Sequence, residues 1–131
     1  MKMSKPRVFI SHSFSDAGWA RQFANSLERR GLKVWFDADA VQSGQSLSAA
    51  IEKGLRESNI IALLVTRDTV TRPNLFFEIG AALGMGKPLI PVVSKDIDPS
   101  LLPASLRERT YLVKNSPDIT AREFVSQALH I

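Results

Sequence analysis

The sequence predicts an α/β fold: a five-stranded parallel sheet in the flavodoxin-like order 2-1-3-4-5, with helices on both faces. Two observations carry that expectation. Strand-like and helix-like stretches alternate strictly along the chain, which implies right-handed crossovers and a parallel sheet covered on both sides. The stretch "NIIALLVT" (59–66) is a nearly continuous apolar run, the pattern of a strand buried on both faces.

Each element follows from local pattern. "RVFISHS" (7–13) is short, β-branched and aromatic, and reads as the first strand. In "SFSDAGWARQFANSLERRG", Ser15 or Asp16 can cap a helix. Trp19, Phe23 and Leu27 then recur every four residues, and Gly31 supplies a left-handed stop. "LKVWF" (32–36) reads as the second strand, and "DADAVQSGQS" (37–46) as a polar loop. Ser46 caps "LSAAIEKGLRES", whose Leu47, Ile51 and Leu55 form an apolar stripe. After the third strand at 59–66 come the loop "RDTVTRP" and a helix over 75–86. "PLIPVV" (88–93) is the fourth strand, and its prolines suggest proximity to a sheet edge. "SKDIDPSLLPASLRER" is an irregular connection with one helical turn. "TYLVK" is the fifth strand, and "DITAREFVSQALHI" is a closing helix.

Bulk properties narrow the function classes. The 131 residues fit one domain, 1–131, with 44% hydrophobic and 23% charged residues, the balance of an ordinary soluble protein. No apolar run approaches the roughly 18–20 residues that span a bilayer. The apolar part of "MKMSKPRVFISHS" is too short for a signal peptide. The expectation is therefore a cytoplasmic protein with no membrane partner. Zero cysteines exclude disulfides, thiolate nucleophiles and thiolate zinc sites. His12 has only His130 as a fellow histidine, which argues against a metal site. The net charge of +4 is spread along the chain and lacks the concentrated basic stripe of a nucleic-acid binder.

In an open parallel sheet, ligands bind beyond the carboxyl ends of the strands, where strand order reverses. For this order the crevice lies between strands one and three. Its walls are "SHSFSD" after strand one, the 37–46 loop, and the segment after strand three, which carries Glu78. At about 100° per residue, Leu75, Phe76, Ile79 and Leu83 form one core-facing arc. Glu78 falls on its flank, beside Ala82 and Met85. Two readings of Glu78 follow. An acidic residue in a first helical turn is favoured by the macrodipole, by a few tenths to about 1 kcal/mol. An anion kept charged beside a crevice also suits a reaction whose transition state has cationic character. Ser11, Ser13 and Ser15 are similarly open to two readings, as phosphate-holding hydroxyls near a helix N-terminus or as simple caps. "GMG" (84–86) matches no phosphate loop, and "SHS" carries no nucleophile-elbow glycines.

Taken together and in order, these motifs resemble a Toll/interleukin-1 receptor (TIR) domain of the bacterial kind, across nearly the whole chain. "VFISHSFSD" is similar to box 1. "LKVWFDADAVQSGQSLSAAIEKGLRES" is similar to strand B, the BB loop and helix B. "NIIALLVT" with "NLFFEIGAALGMGKPLIPVV" is similar to strand C, helix C and strand D. The resemblance implies the TIR fold and cleavage of NAD+ at the nicotinamide–ribose bond. The products would be ADP-ribose or a cyclic ADP-ribose isomer, in bacterial immune signalling or virulence. Glu78 matches the family's catalytic glutamate. Ser11, His12, Phe14 and Asp16 of the first loop, with Phe36, Asp37, Gly44 and Ser46 of the BB-loop region, would line the nucleotide cleft. NAD+ would be substrate, with no further cofactor. Partners would be other TIR domains through self-association, and a separate sensor or effector protein.

One position departs from the pattern: catalytic members often carry an aromatic four residues before the glutamate, and Asn74 stands there. That substitution motivates an alternative, a non-catalytic TIR–TIR interaction module. A third class, a nucleoside deoxyribosyltransferase-like enzyme, also has a glutamate before a "G-A…GKP" stretch. The "SHS…D" start and the BB-like loop argue against it.

Overall fold

The computed structural model describes residues 6–36, 53–67, 84–102, 104–107 and 110–129. Five parallel strands, β1 (Arg7–Ser11), β2 (Lys33–Phe36), β3 (Ile60–Val65), β4 (Leu89–Val93) and β5 (Leu112–Val113), pair in the order β2-β1-β3-β4-β5. This is the order that the alternation of elements predicts. The described helices are α1 (Ala17–Arg29), α2 (residues 53–57), α3 (Ala104–Arg107) and α4 (Pro117–Ala128). Short 3-10 turns stand at Phe14–Asp16 and Pro99–Leu101. The 37–46 loop, the first turns expected of the helix after it, and nearly all of the helix expected over 75–86 lie outside the described residues.

The apolar run of β3 resolves into two faces of period two. Ile60 and Ala62 join Val8 and Ile10 of β1 and Ile90 of β4, under Ala20, Phe23, Ala24 and Leu27 of α1 and Ala121 and Phe124 of α4. Ile61, Leu63 and Val65 point the other way, with Phe9, Leu89 and Val93, against Leu55 of α2, Ile97, Leu102 and Leu106. Each fully buried Val, Leu, Ile or Phe among them contributes about 1.5–3 kcal/mol relative to exposure. Phe23 meets Phe124 edge-on, with ring centroids 5.8 Å apart, so the two helices on that face share one aromatic contact. Trp19, the first of the four-residue repeats, is only partly buried; it stacks on Phe23 and donates its indole N–H to the Asn115 carbonyl at 2.9 Å.

Several ends differ from the pattern-based boundaries. β1 stops at Ser11, two residues before the end of "RVFISHS", because His12 and Ser13 leave the sheet to form the turn described below. β5 pairs only Leu112 and Val113, with Val92 and Val93, although "TYLVK" reads as five strand residues. Pro91 explains part of this. In a parallel ladder, alternate residues address alternate neighbours. The Ser94 N–H bonds Val65 of β3, and the Val93 carbonyl accepts from Lys114 on the β5 side. By alternation Pro91 faces the β5 side too, where its missing N–H would leave a ladder bond unmade. Pairing with β5 starts one residue later, at Val92, so the prolines do mark the neighbourhood of an edge.

α1 ends as the sequence predicts. Gly31 takes φ +95°, its N–H bonds the Glu28 carbonyl at 3.0 Å, and the Leu32 N–H bonds Leu27 at 3.1 Å. This is a Schellman closure, which satisfies two carbonyls that the helix itself cannot. Gly86, at φ +69°, sits in the turn that follows Gly84, close to where the 75–86 helix was expected to stop. At α4, Ser116 caps by accepting from the Ile119 N–H at 3.3 Å, and Pro117 occupies the first turn.

Candidate functional site

β1 and β3 are adjacent, and the chain leaves them toward opposite halves of the sheet, so their carboxyl ends form the switch point. Ser11 is the last residue of β1, in register with Leu63. Beyond it the chain folds into a tight turn rather than continuing as strand. The Ser13 carbonyl accepts from the Asp16 N–H at 3.1 Å and from His12 Nδ1 at 2.7 Å. A carbonyl only accepts, so His12 carries a proton on Nδ1. Phe14 opens the 3-10 turn, and Phe36 ends β2 in register with Ile10. Asp37, Gly44, Ser46, Asn74 and Glu78 lie outside the described residues.

Asp16 stands at the N-cap of α1, yet its side chain makes no capping bond. The expectation of a simple side-chain cap therefore fails at this residue. Its carboxylate turns across the site. Asp16 Oδ2 accepts from Ser13 Oγ at 2.6 Å and from Thr66 Oγ1 at 2.8 Å. Ser13 has one hydroxyl proton and gives it to Asp16, so in the 3.0 Å contact between Ser13 and Ser15 the Ser15 hydroxyl donates. Ser11, Ser13 and Thr66 are all more than nine-tenths buried. Of the two serine readings, the geometry at Ser13 and Ser15 shows internal bonding that orders the loop around Asp16.

Thr66 is the site residue that periodicity does not reveal. It is the first residue past β3 and bonds a group 50 positions away in sequence. The available signal was a hydroxyl closing an otherwise oily run. Its neighbour Arg67 turns the other way, pairing Nε with Asp96 Oδ2 at 2.9 Å. The Ser94 hydroxyl beside Asp96 is the main influence holding that carboxyl below its usual range; desolvation opposes it, and Arg67 and Lys114 add smaller lowering effects. Two consecutive residues thus fasten the end of β3 to the loops after β1 and after β4. The chain then runs on into the segment that contains Glu78.

Among the described residues, no helix is long and apolar enough to cross a membrane. A second feature lies far from the switch point. Gln22, Asn25, Ser26, Arg29, Ser116, Pro117 and Asp118 line a shallow groove of about 290 Å³ between α1 and α4. Asp118 accepts there from Ser26 at 3.1 Å and from Arg30 at 3.0 Å, which locks the two helices together.

Comparison with known proteins agrees with this architecture. The TIR domain family model matches residues 8–125. A probable 2′ cyclic ADP-D-ribose synthase, TcpO of Methanobrevibacter olleyae, is 37% identical over 62 residues, 47% of this chain and 18% of that protein. The NAD(+) hydrolase PdTIR of Paracoccus denitrificans is 38% identical over 52 residues, 39% of this chain and 17% of that protein. The chain therefore spans less than a fifth of either relative. Among solved structures, the TIR domain of the Toll-related receptor TRR-2 from Hydra magnipapillata superposes with a TM-score of 0.71. It shares 20% identity, over 94% of each chain, which is a likeness of fold. With the family model spanning both faces of the sheet and the switch point between β1 and β3, the chain belongs to the TIR domain family.

Proposed function

We propose that residues 1–131 form one TIR domain that cleaves NAD+ at the nicotinamide–ribose bond, releasing ADP-ribose or a cyclic ADP-ribose isomer. The carrying observation is Glu78 in "NLFFEIGAALGMGKP", which resembles the family's glutamate-bearing stretch and follows β3 in the sequence. Relatives named as a cyclic ADP-ribose synthase and an NAD(+) hydrolase support the same chemistry.

The reaction asks little of the protein in acid–base terms. Ordinary glycosidases use two carboxyl groups because an alkoxide leaving group must be protonated. Nicotinamide leaves NAD+ as a neutral pyridine, so its departure requires no proton. One carboxylate suffices if it bonds the ribose hydroxyls and stabilises the developing oxocarbenium charge. Water then yields ADP-ribose, and an internal nucleophile of the bound product yields a ring. In this proposal the loop from Ser11 through His12 and Phe14 to Asp16, and the residues Phe36, Asp37, Gly44 and Ser46, wall the nucleotide cleft. NAD+ is the substrate and no further cofactor takes part. The domain works in the cytoplasm, self-associates through TIR–TIR contacts and answers to a separate sensor or effector protein.

The test is nicotinamide release from NAD+ at high protein concentration, with wild type compared with Glu78→Gln. The variant should lose at least about a hundredfold in rate, the scale of removing one transition-state electrostatic partner. Equal turnover would remove Glu78 from the mechanism. Asn74, where catalytic relatives often carry an aromatic, favours a second reading, a non-catalytic interaction module. Intact NAD+ together with a stoichiometric complex with another TIR domain would decide for it.

A further inference from the structure

We infer that Asp16 and Thr66 are positioning residues for this reaction, which set the distance between the nucleotide-binding loop after β1 and the chain that leaves β3 toward Glu78. The inference rests on the activity proposed above. Asp16 stands in the loop that walls the proposed cleft, but one of its carboxylate oxygens already serves two buried hydroxyls of the fold, Ser13 and Thr66. A carboxylate that accepts two such bonds is held in one orientation, and it holds the donors in turn. Ser15, bonded to Ser13, extends this network toward the start of α1.

The end of β3 is fastened on both sides. Thr66 reaches the β1 loop, while the Val65 carbonyl accepts from the Ser94 N–H at 2.9 Å and Arg67 pairs with Asp96. In sequence, Glu78 follows this anchored exit by twelve residues. The Asp16–Thr66 bond is the member of this set that spans the switch point. A carboxylate that stabilises a developing positive charge is sensitive to placement, and a misplacement of about 1 Å can cost on the order of a hundredfold. Loosening the bond should therefore slow the chemical step more than it weakens nucleotide binding.

The experiment measures kcat and KM for nicotinamide release with wild type, Thr66→Val, Thr66→Ser and Glu78→Gln, together with thermal melts of each. Thr66→Val removes the donor and keeps the shape. It should lower kcat about tenfold while KM stays within about twofold, and Thr66→Ser should restore most of the loss. Asp16→Asn should follow Thr66→Val in the same kcat-dominated pattern. A Thr66→Val enzyme that melts above the assay temperature with wild-type kcat would overturn the inference alone. So would an Asp16→Asn enzyme altered only in KM, because that is the mark of a substrate ligand. Failure of Thr66→Ser to rescue also counts against it. A wild type that leaves NAD+ intact would overturn the activity, and this inference with it.

Discussion

Phe9 of β1 and Trp35 of β2 lie stacked, with ring centroids 5.1 Å apart and planes 19° from parallel, beneath Gly54 of α2. A Cβ at Gly54 would sit 2.6 Å from Phe9 Cδ2 and 2.7 Å from Trp35 Cε3. Phe9 is wholly buried, so its ring has little room to move. The missing side chain is what lets the helix approach the sheet.

Gly54→Ala should therefore destabilise the protein, although alanine is the better helix former by about 1 kcal/mol. Overpacking a filled core costs typically 1–3 kcal/mol, and contacts this short belong at or beyond the upper end. We expect a net loss of about 2 kcal/mol in urea denaturation. A more stable Gly54→Ala protein would mean that α2 can shift away from the stack.

Gly31→Ala tests the end of α1. At φ +95° a side chain meets the backbone, at a cost of roughly 1–2 kcal/mol. Beyond the adjoining residues, no atom stands within 4 Å of a Cβ placed there, so the loss would come from the local backbone and not from crowding against the rest of the fold. Gly31→Asn should lose less, because asparagine tolerates the left-handed region. Equal melting temperatures for wild type and Gly31→Ala would show that the turn relaxes to negative φ.

Acid should weaken the fold through three surface carboxylates. Asp118 is held low chiefly by the Ser26 hydroxyl, then by Arg30 and Arg29, with some opposition from desolvation. Asp96 is held low chiefly by Ser94, and Asp98 by the Ser100 N–H. A carboxyl whose native value lies below its unfolded value of 3.8 stabilises the fold above that value. The contribution is lost as pH falls through the lower native value. Stability measured against pH should thus drop on the acid side, and Asp118→Asn should flatten part of that drop. An unchanged acid limb in the variant would mean that the Ser26–Asp118 clasp between α1 and α4 contributes nothing.

Under the activity proposed above, replacing Asn74 with tyrosine should raise kcat/KM for NAD+ cleavage by roughly two- to tenfold, the worth of one aromatic contact of about 0.5–1.5 kcal/mol. The comparison is nicotinamide release by the two proteins at equal concentration. No gain, with a normal melt, would show that this position does not meet a ring of the substrate.

Much of the fold was legible because a parallel sheet writes itself into local pattern. Apolar runs and the stop at Gly31 marked much of where strands and helices begin and end, and strict alternation set the order of β2, β1, β3, β4 and β5. The two short strand ends were not legible. "TYLVK" looks like five strand residues, but pairing needs a partner, and β4 offers one only from Val92 onward. Topology and family resemblance led to the expectation that the first loop walls the site. Its internal wiring was not legible.

That division has one physical cause. Periodicity and propensity act between residues a few positions apart, so the chain alone specified the α/β class, the strand order, the stop at Gly31 and the motif around Glu78. Asp16 and Thr66 are 50 positions apart, and the Phe9–Trp35 stack over Gly54 joins three separate elements. In the linear sequence, Thr66 is a strand-ending hydroxyl, Asp16 a helix-starting acid and Gly54 a weak point in a helix. Folding brings each beside the partner that gives it a different role: two ends of one bond across the switch point, and the opening that seats α2 against the sheet.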